Sequence, residues 1–409
     1  MHDQPIIIFI ALFIFIYGLF SRLSAKWAIT GPMAFMSLGI LASPFGFGLF
    51  DTQPSAASVK LIAEITLIMI LFVDATMIKH HVLRHAPNLL PARLLSIGLP
   101  LTMLFGVTVA FFMFDDFNIW AIMLMAFILS PTDAALGQAV ITSKNVPEEV
   151  RQAINVESGI NDGIVLPPIL CAMAFLAPEI TGEHDMQFFE FMMLQLILGP
   201  LVGLGVGWIG GRLIERATQK GWMDHIFHQL VSFSLAILAF ALAEYLQGNG
   251  FISAFCAGLA LNIKNPKIQE RIYEFGEAEG TLLSLGVFTA FGLVLVPIAY
   301  QYWGLWEIIY AVLSLTVIRM LPVAISLIGA KQSKTTVAFI GWFGPRGIAS
   351  VLYLLLVINT IGFTGNEHFL SIIILTIAMS IIAHGLSAEP LTRLYKKTPS
   401  LCPSSLKNK

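Results

Sequence analysis

Two stretches of the chain set ionisable side chains inside long apolar runs: Ser130-Pro131-Thr132-Asp133 and Glu157-Ser158-Gly159-Ile160-Asn161-Asp162. A charge at bilayer depth costs on the order of 2.5–3.5 kcal/mol even on the lenient insertion scale. Chains that keep several such groups there use them to move ions or protons. Glu157 and Asn161 are four residues apart, as are Ser158 and Asp162, so on a helix the four crowd one sector two ridges wide. Gly159 and Gly163 leave room for a neighbouring helix to approach closely. A broken helix crossing there brings Asp133 and loose carbonyls, such as that of Thr132, beside Asp162. Two carboxylates, a hydroxyl and a carbonyl make a hard-oxygen cage for a small dehydrated cation, and no softer ligands point to a transition metal. Such a site holds a proton or a cation but not comfortably both, which suffices for exchange.

Other charged residues have more structural readings. Arg319 and Arg346 need partners at mid-bilayer, and Glu157 is the carboxylate that the cage does not require. A Glu157–Arg319 pair is favoured, with Arg346 as the second choice, and it serves to hold helices in register. Asp74 sits toward the cytoplasmic end of its apolar run, where it either lines an inner funnel or snorkels to the interface. Glu64 and Glu244 lie near outer helix ends and read as interfacial. His80, His81 and His85 share a loop with Lys79 and Arg84 and read as a solvated basic loop. Gly199, Gly203, Gly207 and Gly211 recur every fourth residue, a packing pattern of small residues.

The elements that must carry these residues follow from composition. The 409-residue chain is 57% hydrophobic and 12% charged, with a mean hydropathy of +0.82, which marks a polytopic membrane protein. A net charge of −2 gives no reason to expect a nucleic-acid partner, and no phosphate-binding glycine loop points to ATP. Cys171, Cys256 and Cys402 have no metal-ligand spacing, and no cofactor is expected. Thirteen apolar spans are long enough, or nearly so, to cross a bilayer: 5–20, 27–49, 58–79, 93–114, 119–142, 152–178, 188–211, 226–246, 250–263, 280–300, 305–329, 335–358 and 368–390. The first reads as a retained span and not a signal peptide, because its basic residues follow it. Of the 23 Lys and Arg, all but Lys60, Arg319 and Arg346 fall in alternate loops or the final segment. By the positive-inside rule the N-terminus is outside and the C-terminus cytoplasmic.

Thirteen spans divide into repeat one (about 1–178), a linker helix (188–211) and repeat two (about 226–390), followed by a short cytoplasmic tail at 391–409. Span 5 then corresponds to span 12 in the opposite direction, and both are interrupted: Ser130-Pro131-Thr132-Asp133 in one, Gly344-Pro345-Arg346-Gly347 in the other. Paired interruptions in two halves are the best sequence pointer to a transporter's binding site.

The Thr-Asp of span 5, the Glu-Ser-x-x-Asn-Asp of span 6 and the Gly-Pro-Arg-Gly of span 12 resemble the monovalent cation/proton antiporters, in the prokaryotic sodium/proton exchanger (NhaP-like) branch. The resemblance covers most of the chain. It implies an all-helical inverted-repeat fold of about thirteen spans with broken crossing helices 5 and 12, a homodimer, and a core bundle moving against a scaffold as an elevator. Residue by residue, it implies Asp162 as the cation- and proton-binding carboxylate, Asp133, Ser158 and Thr132 as co-ligands, and Asn161 as support. Asp74 matches an acidic position on the third helix. Asn161-Asp162, in place of two successive aspartates, implies electroneutral one-for-one exchange. The expectation is a multi-pass antiporter of the cell membrane that is not an enzyme, exchanging sodium or lithium for protons in pH homeostasis. Potassium is the alternative ion. Two rivals remain: an intramembrane aspartyl protease, whose G-x-G-D arrangement is missing, and a passive channel, for which no carbonyl filter is evident.

Overall fold

The computed structural model describes residues 4–26, 29–50, 56–76, 90–133, 136–181, 186–261, 263 and 265–397. The histidine loop with Lys79 and Arg84, Lys264, and the segment from 398 onward lie outside the described residues. Among the described residues every regular element is helical. They fall into thirteen segments matching the thirteen expected spans: α1 (Gln4–Lys26), α2 (Gly31–Ala42), α3 (Ala56–Thr76), α4 (Leu90–Met113), α5a and α5b (Ile119–Ile128 and Gln138–Ile141), α6 (Glu148–Thr181), α7 (Met186–Gln219), α8 (His225–Tyr245), α9 (Gly250–Ala260), α10 (Pro266–Ala290, extended by a π turn at Phe291–Leu295), α11 (Leu305–Leu315 and Val317–Ser326), α12a and α12b (Lys334–Trp342 and Ile348–Ile361) and α13 (Glu367–Lys397). Seven of these are long and apolar enough to cross a membrane by themselves, and the shorter apolar helices include α2, α5a, α9 and α12b.

Span 11, read from sequence as continuous, is interrupted at Thr316 (φ −114°, ψ −91°). There the Thr316 hydroxyl bonds back to the Val312 carbonyl at 2.6 Å, a contact that bends helices. Span 13 runs on as helix to Lys397, past the expected end of the apolar run.

The two halves exchange partners. In repeat one α2 packs on α10 of repeat two, and in repeat two α9 packs on α3 of repeat one. A Cβ on Gly39 of α2 would strike the Thr289 carbonyl, and one on Gly258 of α9 would strike the Phe72 carbonyl. Gly39 and Gly258 are each the ninth residue of their short helix, and both helices open on a side-chain cap, Thr30 and Asn249. The linker α7 lies along α9, with Gly199, Gly203 and Gly207 pressed on the carbonyls of Asn249, Ser253 and Ala257. Glu244 also serves this corner, since its carboxylate accepts from the Gly250 N–H at 2.8 Å at the start of α9. Of the other helices, α4 to α6 and α11 to α13 surround the two breaks.

Candidate functional site

α5a stops because Pro131 has no N–H to continue the helix and forces Ser130 out of helical geometry. That leaves a row of carbonyls at its C-terminal end, which the opposite repeat satisfies. The Ser350 hydroxyl donates to the Ile128 carbonyl at 2.7 Å, and Arg346 Nη1 donates to the carbonyls of Ser130 (3.1 Å) and Pro131 (3.2 Å). The reverse holds at α12b. Its first residue, Ile348, donates its N–H to Asp133 Oδ2 at 2.8 Å, and the Asp133 N–H donates to the Pro345 carbonyl at 2.8 Å. Each break thus supplies the charge that seals the other: a carboxylate at the positive end of α12b, a guanidinium at the negative end of α5a.

Glycine is required at both edges of this crossing. A Cβ on Gly347 would collide with the Asp133 carboxylate, and one on Gly344 would collide with the Arg319 guanidinium. Behind α12a, His384 Nε2 donates to the Trp342 carbonyl at 2.9 Å, and the Arg346 N–H donates to the Ser380 hydroxyl at 2.6 Å.

α6 passes the crossing and presents the predicted residues to it. Asn161 Nδ2 donates to the Thr132 hydroxyl at 2.7 Å, which shares a 3.0 Å hydrogen bond with the Ser158 hydroxyl. The Tyr353 hydroxyl donates to the Asp162 main-chain carbonyl at 2.8 Å, tying α12b to α6. Asp162 Oδ1 and Asn161 Oδ1 are fully buried, and neither has a hydrogen-bond partner. Asp74 of α3 lies over Gly159 of α6, where a Cβ would sit 3.8 Å from it, and it is close enough to Asp133 and Asp162 to feel their charges.

Glu157 faces another way and meets Arg319. One hydrogen bond joins Nη2 to Oε2 at 2.9 Å, and Nη1 stands 2.7 Å from Oε1 in a close ion contact; both residues are 1% exposed. Arg346, the second candidate partner, turns its Nη1 to the α5a carbonyls instead. The structure therefore brings together Asp74, Thr132, Asp133, Ser158, Asn161 and Asp162, and sets Glu157 with Arg319 apart from them. Sequence reasoning missed Tyr353, Ser350, Ser380 and His384. Their only signal was a polar side chain within an apolar span, which by itself names no partner.

Chemically, Asp133 is committed to a helix N-terminus and Glu157 to an arginine. Asp162 keeps a carboxylate oxygen with no protein donor in a site walled by hydroxyls. A bare charge there is costly, and a proton or a small cation relieves that cost.

The profile of the family described as sodium/hydrogen exchanger, transmembrane, matches residues 8–394. The K(+)/H(+) antiporter NhaP2 of Shewanella sp. (strain ANA-3) is 25% identical over 383 residues, covering 92% of this chain and 65% of that protein. The chain thus spans about two thirds of the length of that relative. The Na(+)/H(+) antiporter of Schizosaccharomyces pombe is 24% identical over 323 residues, covering 71% of this chain and 68% of the relative. Among solved structures, the sodium proton antiporter MjNhaP1 from Methanocaldococcus jannaschii at pH 8 superposes with a TM-score of 0.77 at 19% identity, covering 97% of this chain and 99% of that one.

Proposed function

Since the chain belongs to the sodium/hydrogen exchanger transmembrane family, we propose that it is a secondary antiporter in which a monovalent cation and a proton compete for Asp162. The observation that carries the reading is the buried, unpartnered Oδ1 of Asp162 beside the Thr132–Ser158 hydroxyl pair, where two broken helices cross. Thr132, Ser158 and Asp133 complete the oxygen cage, Asn161 orients the Thr132 hydroxyl, and Asp74 adds negative charge. The Glu157–Arg319 pair holds α6 to α11 and does not turn over.

With one exchangeable carboxylate, and Asn161 where a second would stand, one cation replaces one proton and exchange is electroneutral. Transport then requires the bundle of α4–α6 and α11–α13 to move as a body against the other helices, which form the scaffold of a homodimer. The distribution of basic residues sets the N-terminus outside and the C-terminus in the cytoplasm of the cell membrane. Sodium or lithium is the first reading of the ion. Potassium is the second, favoured by the name of the NhaP2 relatives.

The test is reconstitution in liposomes with a trapped pH dye under sodium, lithium or potassium gradients, with voltage clamped by an ionophore. Cation-dependent proton movement indifferent to voltage is expected, and the effective ion is the substrate. Folded protein that moves no protons with any cation overturns the antiporter reading.

A further inference from the structure

α12b grips both helices that carry the acidic cluster, and it does so through three buried positions. The Ile348 N–H meets Asp133 Oδ2 and the Ser350 hydroxyl meets the Ile128 carbonyl, so two of the three hold α5. The third, Tyr353, is fully buried and gives its hydroxyl to the Asp162 carbonyl of α6 at 2.8 Å. A carbonyl inside α6 already accepts the helical N–H four residues on, and its second lone pair takes the phenol. The bond is therefore an added tether from a ring that cannot fold. It ends on the residue whose carboxylate keeps an unpartnered oxygen. One residue on, a Cβ at Gly163 would strike the Phe255 ring of α9, so α6 is closely packed at this level.

Ile348 and Tyr353 are five residues apart on α12b, about 7.5 Å along its axis. One rigid element thus fixes Asp133 of α5 and Asp162 of α6 relative to each other, while the Thr132 contacts to Ser158 and Asn161 join the same two helices directly. We propose that Tyr353 is a specificity-determining residue, whose hydroxyl sets how closely Asp162 stands to the α5 oxygens and so the size of cation that the cage accepts. This deepens the antiport reading and rests on it. Lithium, sodium and potassium carry the same charge and differ in size, so an oxygen cage ranks them by how far its ligands can part. Tyr353 does not touch the ion. It keeps the α6 wall from withdrawing. Without that tether a small cation loses contact with one wall of the cage, whereas a larger one still spans both.

The test compares wild type, Tyr353→Phe, Tyr353→Met, Tyr310→Phe and Asp162→Asn in proteoliposomes at one pH. For each of lithium, sodium and potassium the apparent affinity is taken from KM or, for an ion that is not carried, from its inhibition of the carried one. Tyr353→Phe leaves no buried group unpaired, because the Asp162 carbonyl keeps its helical partner, and it inserts normally. It weakens the smallest ion most and raises the ratio of the lithium to the potassium constant about fivefold, the equivalent of one hydrogen bond. Tyr353→Met, which also lacks the hydroxyl, shifts the ratio in the same direction and carries the test where phenylalanine alters insertion. Tyr310→Phe removes a buried tyrosine hydroxyl from another main-chain carbonyl, that of Gly106, and keeps the wild-type ratio. An unchanged ratio, one common factor for all three ions, a shift toward the smaller ion, or an equal shift in Tyr310→Phe overturns the proposal. Residual exchange by Asp162→Asn overturns the antiport reading instead.

Discussion

Asp162 and Glu157 stand five residues apart on one helix, yet what they touch gives them opposite work. Glu157 is neutralised by Arg319 with two close contacts, whereas Asp162 Oδ1 meets no donor. Replacing Glu157 by alanine leaves a buried guanidinium without its counter-charge, which typically costs about 3–5 kcal/mol. Glu157→Ala is accordingly expected to lower the melting temperature in detergent clearly, while the cation KM of surviving protein moves less than twofold. A large KM change at unchanged stability would move Glu157 into the cage. Asp162→Asn has the reverse expectation: exchange falls to background, yet the variant inserts and melts at or above the wild-type temperature, since an unpaired buried charge has been removed. Transport assays beside thermal unfolding separate the two residues.

At the level of elements, the crossing of α5 with α12 is a reciprocal capping device. Asp133 accepts from the first N–H of α12b, and Arg346 donates to the last carbonyls of α5a. Asparagine retains a side-chain oxygen for that cap and alanine does not, and lost N-caps cost about 0.5–2 kcal/mol. Asp133→Asn is therefore expected to melt close to wild type and Asp133→Ala below it, while both transport less if the carboxylate also faces the ion. Gly347→Ala forces the Asp133 carboxylate off α12b, because the two cannot occupy the same space. Exchange should drop at least tenfold with membrane insertion intact. Wild-type transport by Gly347→Ala would mean that the crossing is looser than its geometry.

Over the whole molecule, short helices that swap between the repeats, α2 onto α10 and α9 onto α3, surround a bundle built on the two breaks. The proposed competition at Asp162 predicts a signed pH dependence. As pH falls, protons displace the cation, so the apparent cation KM rises, approaching tenfold per pH unit in the acidic limit for one proton against one cation. A flat KM from pH 6 to 9, measured with equal pH on both faces, would argue that proton and cation bind at different groups. Steeper dependence would indicate more than one exchanged proton, and with it a voltage-sensitive cycle.

Periodicity and charge patterning were enough to determine the helical class, the thirteen segments, the paired interruptions and the cluster on α6. Hydrocarbon tolerates only long apolar helices, and charges inside them stand out. Resemblance to an exchanger family added the expected roles of Asp162 and its neighbours. What only the tertiary structure decided was which group meets which: Asp133 on the Ile348 N–H, Arg346 on the α5a carbonyls, Arg319 on Glu157, and Tyr353 on the Asp162 carbonyl. Sequence favours Arg319 over Arg346 as the partner of Glu157, and the 2.7 Å ion pair bears that preference out, although spacing ranks neighbours only within a helix and is silent between helices. The partners were set by how the two halves cross, where glycines at 344 and 347 let backbone and charge approach within contact.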